Sequence, residues 1–583
     1  MQIDKLSALD TGESLDADLI IVGSGPVGLT IAREFFGSGY RVLVLESGIE
    51  DEQESYNDLL TLESSGSPLG EAAVARRASF HGSGAKMWSH EAQSYGLRCR
   101  VLGGSSHAWA GKSALFDQID FEDRPWVPRS GWPIERDTLT EYFDRAAIHL
   151  NLGPNRYDHG LFDLAGIPAI RFSGANSLES FFWQFSRSRR DKMDVMRFGP
   201  DFVAEHAKNT RLLMDATVTH INTDPQTGRF QSLEVSALSG QKRTVGGKCC
   251  ILATGGIENA RLLLASNRVM PNGVGNSHDQ VGRYLMDHLG VRLGYVAKKE
   301  ANAVVKAFGF YGVRGSRDVH MYQHGMRLTD AVQRKQNLLN CAGYILEDRA
   351  PDDPWDATKR LLRGRSSNAL MDTLAIVKSP GLLIKGAGVK LLGSRLLPQA
   401  VKSAVVNTVL KFNPGLAVSE FQSRGLPHKL KGLLIDAIIE QPPYAENRIT
   451  LSKRTDALGM PRAVASWNVR EDELHSLLYL ARAVATELPG MGLPEPVMED
   501  WVTRGAPAEA AIIDMGHTCG TTRMSHNPRS GVVDINCEVH DAKGLFVAGS
   551  SVFPTSGHAN PTLMAVSIAV RLADHLKVSG CLN

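Results

Sequence analysis

Asp18 to Gly48 reads DLIIVGSGPVGLTIAREFFGSGYRVLVLESG, and no other stretch narrows the possible folds of this chain so sharply. Leu19 to Val22 is a short apolar run, and Gly23-Ser24-Gly25-Pro26-Val27-Gly28 follows it directly. Leu29 to Phe36 has helical periodicity, Gly37 and Gly39 stop it, and Arg41 to Leu45 is a second apolar strand. Strand, glycine turn, helix and strand, ending in Glu46, make the dinucleotide-binding fingerprint in its required context. Gly23 allows the tight turn, Gly25 lets the backbone approach a pyrophosphate, and Gly28 lets helix and strand pack closely. Glu46 lies 18 residues after Gly28, where a carboxylate accepts ribose hydroxyl hydrogen bonds and repels a 2′-phosphate.

At 583 residues the chain is too long for one core, so two or more domains are expected. A net charge of +1 exerts no global pull toward nucleic acid or membrane. Seven cysteines with no CxxC pair make neither a disulfide nor a zinc framework, and no metal site is expected. Cys249 and Cys250 sit in an apolar strand and read as core, and the odd count points to a reducing compartment. Met1 to Asp18 carries acids and no apolar h-region, unlike a secretory signal. No uncharged apolar stretch reaches the ~18 residues of a membrane span. A cytoplasmic location is therefore expected, with export alongside a partner subunit left open.

Three further segments carry glycine turns. Arg98 to Trp109 contains Leu102-Gly103-Gly104-Ser105-Ser106, backbone suited to lie against a flat or phosphorylated ligand, or else a surface loop. Cys249 to Leu264 is a strand ending in Ala253-Thr254-Gly255-Gly256, then a helix from near Ile257 with Glu258 and Asn259 in its first turn. Asp215 to Ile221 and Thr244 to Leu252 read as strands. Near the C-terminus, a polar turn (Gly516, His517, Thr518) precedes an apolar strand, Leu545 to Ala548. Asn560-Pro561-Thr562 then opens a periodic helix, Leu563 to Leu576, with Pro561 at a favoured first-turn place. The start of that helix turns free N–H groups toward whatever lies before it. His517 and Asn560, 43 residues apart, lie on loops that the intervening strand can bring together.

GSGPVG with Glu46, LGGSS, ATGGIENARLLL, NRITLS around Asn447 and the terminal stretch together resemble the glucose-methanol-choline oxidoreductases, FAD-dependent oxidisers of alcohols. HTCGTTRM and GHANPTL are similar to the branch holding pyranose 2-oxidase, fructose dehydrogenase and glucoside 3-dehydrogenases, whose second catalytic position is Asn. The resemblance implies an α/β fold, a Rossmann-type FAD-binding domain interleaved with an α+β substrate-binding domain. The expected division is FAD-binding at 14–125, 209–290 and 509–583, and substrate-binding at 126–208 and 291–508. It assigns catalysis to His517 and Asn560. FAD contacts are expected from Gly23, Gly25, Gly28, Glu46, Gly103, Gly104, Ser105, Ser106, Val218, Thr254, Gly255, Asn259, Gly549, Ser550, Pro561 and Thr562. His558 and Trp109 are expected to touch substrate, though His558 is not the second member of the catalytic pair.

The chemistry agrees with this pair. Hydride transfer from an alcohol needs a base for the hydroxyl proton, and a neutral imidazole is suited to that near pH 7. Asn560 cannot titrate, but its amide can donate to the developing alkoxide. His107, His288 and His526 have no such support and read as structural or exposed. Fungal pyranose 2-oxidases attach FAD through a histidine directly before the tryptophan of this loop. Here Ala108 holds that place and His107 is one residue earlier, on the other face of an extended segment, so noncovalent FAD is expected.

Ile134 to Leu152 and Glu471 to Leu488 read as helices, and Val291 to Ile345 and Ala437 to Leu451 as strands of a second sheet. Phe181, Phe182, Trp183 and Phe185 fill a core or wall a pocket. A basic helical insertion spans about 356–419. From Thr373 to Ser419 it holds no acid, while Lys378, Lys385, Lys390, Arg395, Lys402 and Lys411 are spaced among apolar residues. Its basic faces are those of helices packed on the substrate domain, or of a contact with another subunit, an acidic redox partner or an anionic membrane. The expected substrate is a sugar, glycoside or polyol, with an alcohol of a secondary-metabolite pathway as the alternative and a catalytically silent flavoprotein scaffold as the contrasting class. The electron acceptor (quinone, cytochrome, dye or oxygen) is open, with a dehydrogenase favoured.

Overall fold

Leu19, Ile20 and Ile21 are fully buried, as an apolar run inside a parallel sheet covered on both faces must be. In the computed structural model the strand Ala17–Val22 lies between Val42–Leu45 and the second half of Lys242–Leu252. Thr210–Met214 and Gln2–Lys5 extend the sheet on one side, Leu545–Val547 on the other, and all of these pairings are parallel. The first half of Lys242–Leu252 leaves that layer and pairs antiparallel with Phe230–Ser236, which pairs with Thr217–Thr223. The structure describes residues 1–10, 13–66, 70–81, 97–173, 177–190, 195–205, 207–314, 319–362, 366, 368–382, 384, 398–412 and 428–582.

A second, antiparallel sheet runs in the order Val497–Met498, Leu289–Ala297, Leu430–Ile439, Cys341–Arg349, Val319–Leu328, Leu178–Phe185, Lys112–Ser113. Phe310–Arg314 joins it beside Val319–Leu328, and Ile513–Asp514 beside Leu289–Ala297. Three boundaries differ from the expected segments. Gln2–Lys5 enters the first sheet ahead of residue 14, and Lys112–Ser113 and Ile513–Asp514 leave their flanking segments for the second. Residues 448–451, expected in the second sheet, instead open the strand Arg448–Thr455, which pairs with Pro461–Ser466, and that strand takes Leu62–Ser64 on its other edge. Phe181, Phe182 and Trp183 are core, and Phe185 reaches a cavity wall.

The C-terminal helix is Thr562–Val578, with Pro561 at its cap. It is buried on most of its circumference because it packs against both Pro26–Glu34 and Thr140–His149. Arg145 ties the three together, donating to Glu34 at 2.5 Å and to Asp574 at 3.0 Å. Glu471–Gly490 is a helix across the second sheet. Of the basic insertion, the described helices are Pro354–Leu362, Ala369–Val377 and Gln399–Phe412. The middle one is not simply basic outside: Leu370, Met371 and Val377 are exposed, as is Phe412 further on. Lys385, Lys390, Arg395 and the end of the insertion lie outside the described residues. No helix among the described residues is long and apolar enough to cross a membrane.

The glycine turn shows why its residues are not equivalent. A Cβ on Gly28 would stand 2.0 Å from the Gly23 carbonyl oxygen, whereas one on Gly25 would meet no heavy atom within 4 Å. Gly28→Ala should therefore cost about 3 kcal/mol of stability, read by thermal melting of the cofactor-free protein. Gly25→Ala should melt like the parent and lose cofactor affinity.

Candidate active site

The carboxyl ends of the parallel strands converge, which is where an open α/β sheet binds its ligand. Val22–Gly23, Leu45–Glu46, Ala253–Thr254 and Ala548–Gly549 line one wall of a cavity of about 1950 Å³. That is about twice the upper end of ordinary ligand pockets (~300–1,000 Å³), room for a cofactor and a second molecule. The opposite wall comes from the antiparallel sheet, through Lys112, Phe185, Arg292, Gln323 and Tyr344.

Gly23, in the left-handed region at φ +102°, turns the chain at the end of the first strand. Glu46 closes this turn, accepting from the Ser24 N–H at 2.9 Å, the Ser24 hydroxyl at 2.5 Å and the Gly48 N–H at 2.7 Å. A carboxylate has about four acceptor sites, so Glu46 still has capacity for a ligand hydroxyl. Gly103 donates to the Ser24 hydroxyl at 3.1 Å, locking the Gly-Gly loop onto the glycine turn. Gly104, Ser105, Ser106, Val218, Thr254, Gly255, Gly549, Ser550, Pro561 and Thr562 line the cavity as expected cofactor contacts must. Gly28, Gly103 and Asn259 do not. Asn259 is a fully buried strut, accepting from Thr254 and donating to the Ser551 hydroxyl at 3.0 Å. Backbone laid bare by glycine, a helix start and an acid at the second strand end together fit an FAD.

Sequence reasoning did not assign the arginines beside Glu258. Arg98, Arg100 and Arg261 stand 3.3, 2.7 and 3.2 Å from its carboxylate. Burial would raise the Glu258 pKa, but Arg261, Arg100 and Arg98 hold it down at about 2. Arg100 also donates to Ser47, the residue after Glu46.

At the other end of the cavity the two loops do meet. The Asn560 side-chain N–H points at His517 Nε2 from 3.2 Å. His517 Nδ1 faces His288 Nδ1 at 2.9 Å, and His288 Nε2 is 3.2 Å from the Ser556 carbonyl. A carbonyl only accepts, so His288 Nε2 carries its proton. Burial depresses the His288 pKa to about 4, leaving it neutral with a bare Nδ1. That atom accepts from His517 Nδ1–H, and Nε2 of His517 is the unprotonated nitrogen facing the cavity. Burial, with the fields of His288, His81 and Lys112, holds His517 well below its ordinary 6.5. The Asp287 carboxylate fixes the loop, accepting the His517 N–H at 2.9 Å and the Met515 N–H at 3.2 Å.

His288 was read from sequence as structural or exposed, and it proves to stand directly behind His517. Its signal was the dipeptide Asp287-His288, whose two members both bind the His517 loop. His558 is corrected in the other direction. Expected at the substrate, it is fully buried with its ring 4.5 Å from that of Phe181, and it is not among the residues lining the cavity. Trp109 does line it, and donates to the Met196 carbonyl at 2.8 Å. His107 is engaged with the Leu102 carbonyl at 3.0 Å, and His526 is exposed.

A dinucleotide-binding sheet, a second sheet roofing the same cavity and a neutral imidazole between them define a cofactor-dependent oxidoreductase. Comparison with known proteins narrows this. The models of the GMC oxidoreductase N- and C-terminal domains match residues 184–290 and 443–569. The fructose dehydrogenase large subunit of Gluconobacter japonicus is 22% identical across 97% of this chain and 98% of its own. A 2-methyl-1,2-propanediol dehydrogenase of Mycolicibacterium austroafricanum is also 22% identical, across 96% and 95%. Among solved structures, pyridoxine 4-oxidase from Mesorbium loti shares the fold, with a TM-score of 0.53 at 15% identity over 96% of this chain and 99% of that one. The chain belongs to the GMC oxidoreductases, a flavoprotein family, and is an oxidoreductase acting on CH–OH groups.

If His288 sets the tautomer, His288→Leu should slow flavin reduction by one to two orders of magnitude and change its pH profile, while FAD stays bound. His288→Asn, whose Oδ1 can take the place of Nδ1, should restore much of the rate. Equal loss in both variants would make His288 a packing residue only.

Proposed function

We propose that this protein oxidises an alcohol carbon of a sugar, glycoside or polyol to the carbonyl, with His517 as base. The observation that carries the reading is the His517–Asn560 pair at the cavity wall, with its bare nitrogen set by His288 and Ser556. A hydroxyl placed between them donates its proton to His517 Nε2, and the Asn560 N–H then stabilises the alkoxide. Its depressed pKa keeps His517 unprotonated and competent at neutral pH. FAD, held by the glycine turn, Glu46, the Gly-Gly loop and the start of the terminal helix, supplies the hydride acceptor when bound. We take it to be noncovalent, since Ala108 precedes Trp109 and His107 is engaged with backbone. The substrate class is supported by the full-length relatives, which are named for fructose and for a diol.

His517→Ala should lower anaerobic flavin reduction by sugars or polyols by orders of magnitude with FAD still bound. Asn560→Ala should cost on the order of 3 kcal/mol in the barrier. His558→Ala, at a buried residue that does not line the cavity, should change stability more than rate. A larger kinetic effect at His558 than at His517 would show the base to be misassigned.

Both full-length relatives are named dehydrogenases, and one is a large subunit, which supports an acceptor other than oxygen and a partner chain. Dye-coupled turnover should exceed oxygen-coupled turnover with the same substrate, and acid precipitation should release the flavin. Peroxide formation in air as fast as dye reduction would make the protein an oxidase.

A further inference from the structure

Lys112 stands in the wall of the same cavity. It occupies the short edge strand Lys112–Ser113, paired with Phe185 and Gln184. Its ammonium lies 4.0 Å from the centroid of the Trp183 ring and 3.8 Å from that of Tyr344. Ring faces attract the charged form of a lysine, so the slot is made for an ammonium. Among the described residues no carboxylate makes an ion pair with it. The acid acting on it, Asp436, is fully buried and already committed to Arg76 at 3.0 Å and Arg292 at 3.1 Å. Lys112, Arg76 and Arg292 all line the cavity, and the one acid that acts on Lys112 is already paired with the two arginines, so Lys112 has no carboxylate of its own among the described residues. Burial draws the Lys112 ammonium down to about 7, as expected of a cation with no counter-ion beside it.

We propose that Lys112 is an anion subsite, and that the alcohol oxidised here carries a carboxylate, as sugar acids do. The proposal rests on the reading of His517 and Asn560 as the oxidising pair, and adds what the other end of the substrate must be. A neutral hydroxyl would leave that lack of a counter-ion in place. A carboxylate removes it with a charge-assisted hydrogen bond, about twice the strength of a neutral one. The two rings hold the ammonium at the cavity wall, where a bound molecule can reach it. Such a substrate anchors at Lys112 through its acid while a carbinol elsewhere on it reaches His517, which gives the cavity regiochemical control. Lys112 is thus a specificity-determining residue, and its field also helps to keep His517 unprotonated.

The test uses FAD-loaded enzyme and two matched pairs, D-gluconate against D-sorbitol and D-glucuronate against D-glucose. Binding is read by titration calorimetry and oxidation by anaerobic flavin bleaching. The acid of at least one pair should bind and react at least ten-fold more efficiently than its neutral partner. Lys112→Met should abolish that ratio, and Lys112→Arg should keep most of it. Equal efficiency within both pairs in the unaltered enzyme, or a preference that survives in Lys112→Met, overturns the subsite. Neutral sugars that bleach the flavin with no acid preference would leave the oxidation reading standing and remove this one. Sugar acids that bind through Lys112 yet never bleach the flavin would do the reverse.

Discussion

The strand Lys242–Leu252 is the constraint on which the site depends. It pairs with Ala17–Val22 on one edge and Leu545–Val547 on the other, so a single run of backbone hydrogen bonds joins the start, middle and end of the chain. Because these pairings are parallel, Gly23, Thr254 and Gly549 leave the sheet at the same edge. Cys249 to Leu252 are wholly buried, and the apolar area removed from water there holds the register. A one-residue slip would exchange the residues packed on the two covered faces and shift the three loops relative to one another.

Charge at the site follows from burial. At one end, Glu258 stays ionised because three guanidiniums surround it. At the other, the imidazoles of His288 and His517 stay neutral because burial disfavours their charged forms and, among the described residues, no carboxylate accepts from either ring. A neutral pair in series transmits a choice of tautomer from the Ser556 carbonyl to the nitrogen facing the cavity. The arrangement differs from one in which an acid orients the base, since no imidazolium is stabilised. Asp287 is close at hand but binds backbone N–H groups, so it holds the loop and leaves the ring proton alone.

Sequence alone determined the local units. The glycine turn, the acid at the second strand end, the helix opening at Asn560-Pro561-Thr562 and the core character of Cys249 and Cys250 rest on spacing and residue type. These are short-range properties, decided by backbone sterics and by which face of an element is apolar. The likeness to the GMC oxidoreductases was legible for the same reason, since its motifs are contiguous runs of residues.

Tertiary structure decided which distant groups share a surface. His288 lies 229 residues before His517, and the pairing of Leu289–Ala297 with Ile513–Asp514, continued by the Met286–Cys519 bridge, brings their rings together. His558, two residues from Asn560, looked well placed in sequence, yet the turn at Ser556 and Gly557 sends its ring into the aromatic core. Lys112 was one cation among many until the edge strand set it against Trp183 and Tyr344 with Asp436 already taken. Burial, hydrogen-bond partners and the sign of a local field are sums over residues far apart along the chain. Their values exist only once the two sheets have closed on the cavity.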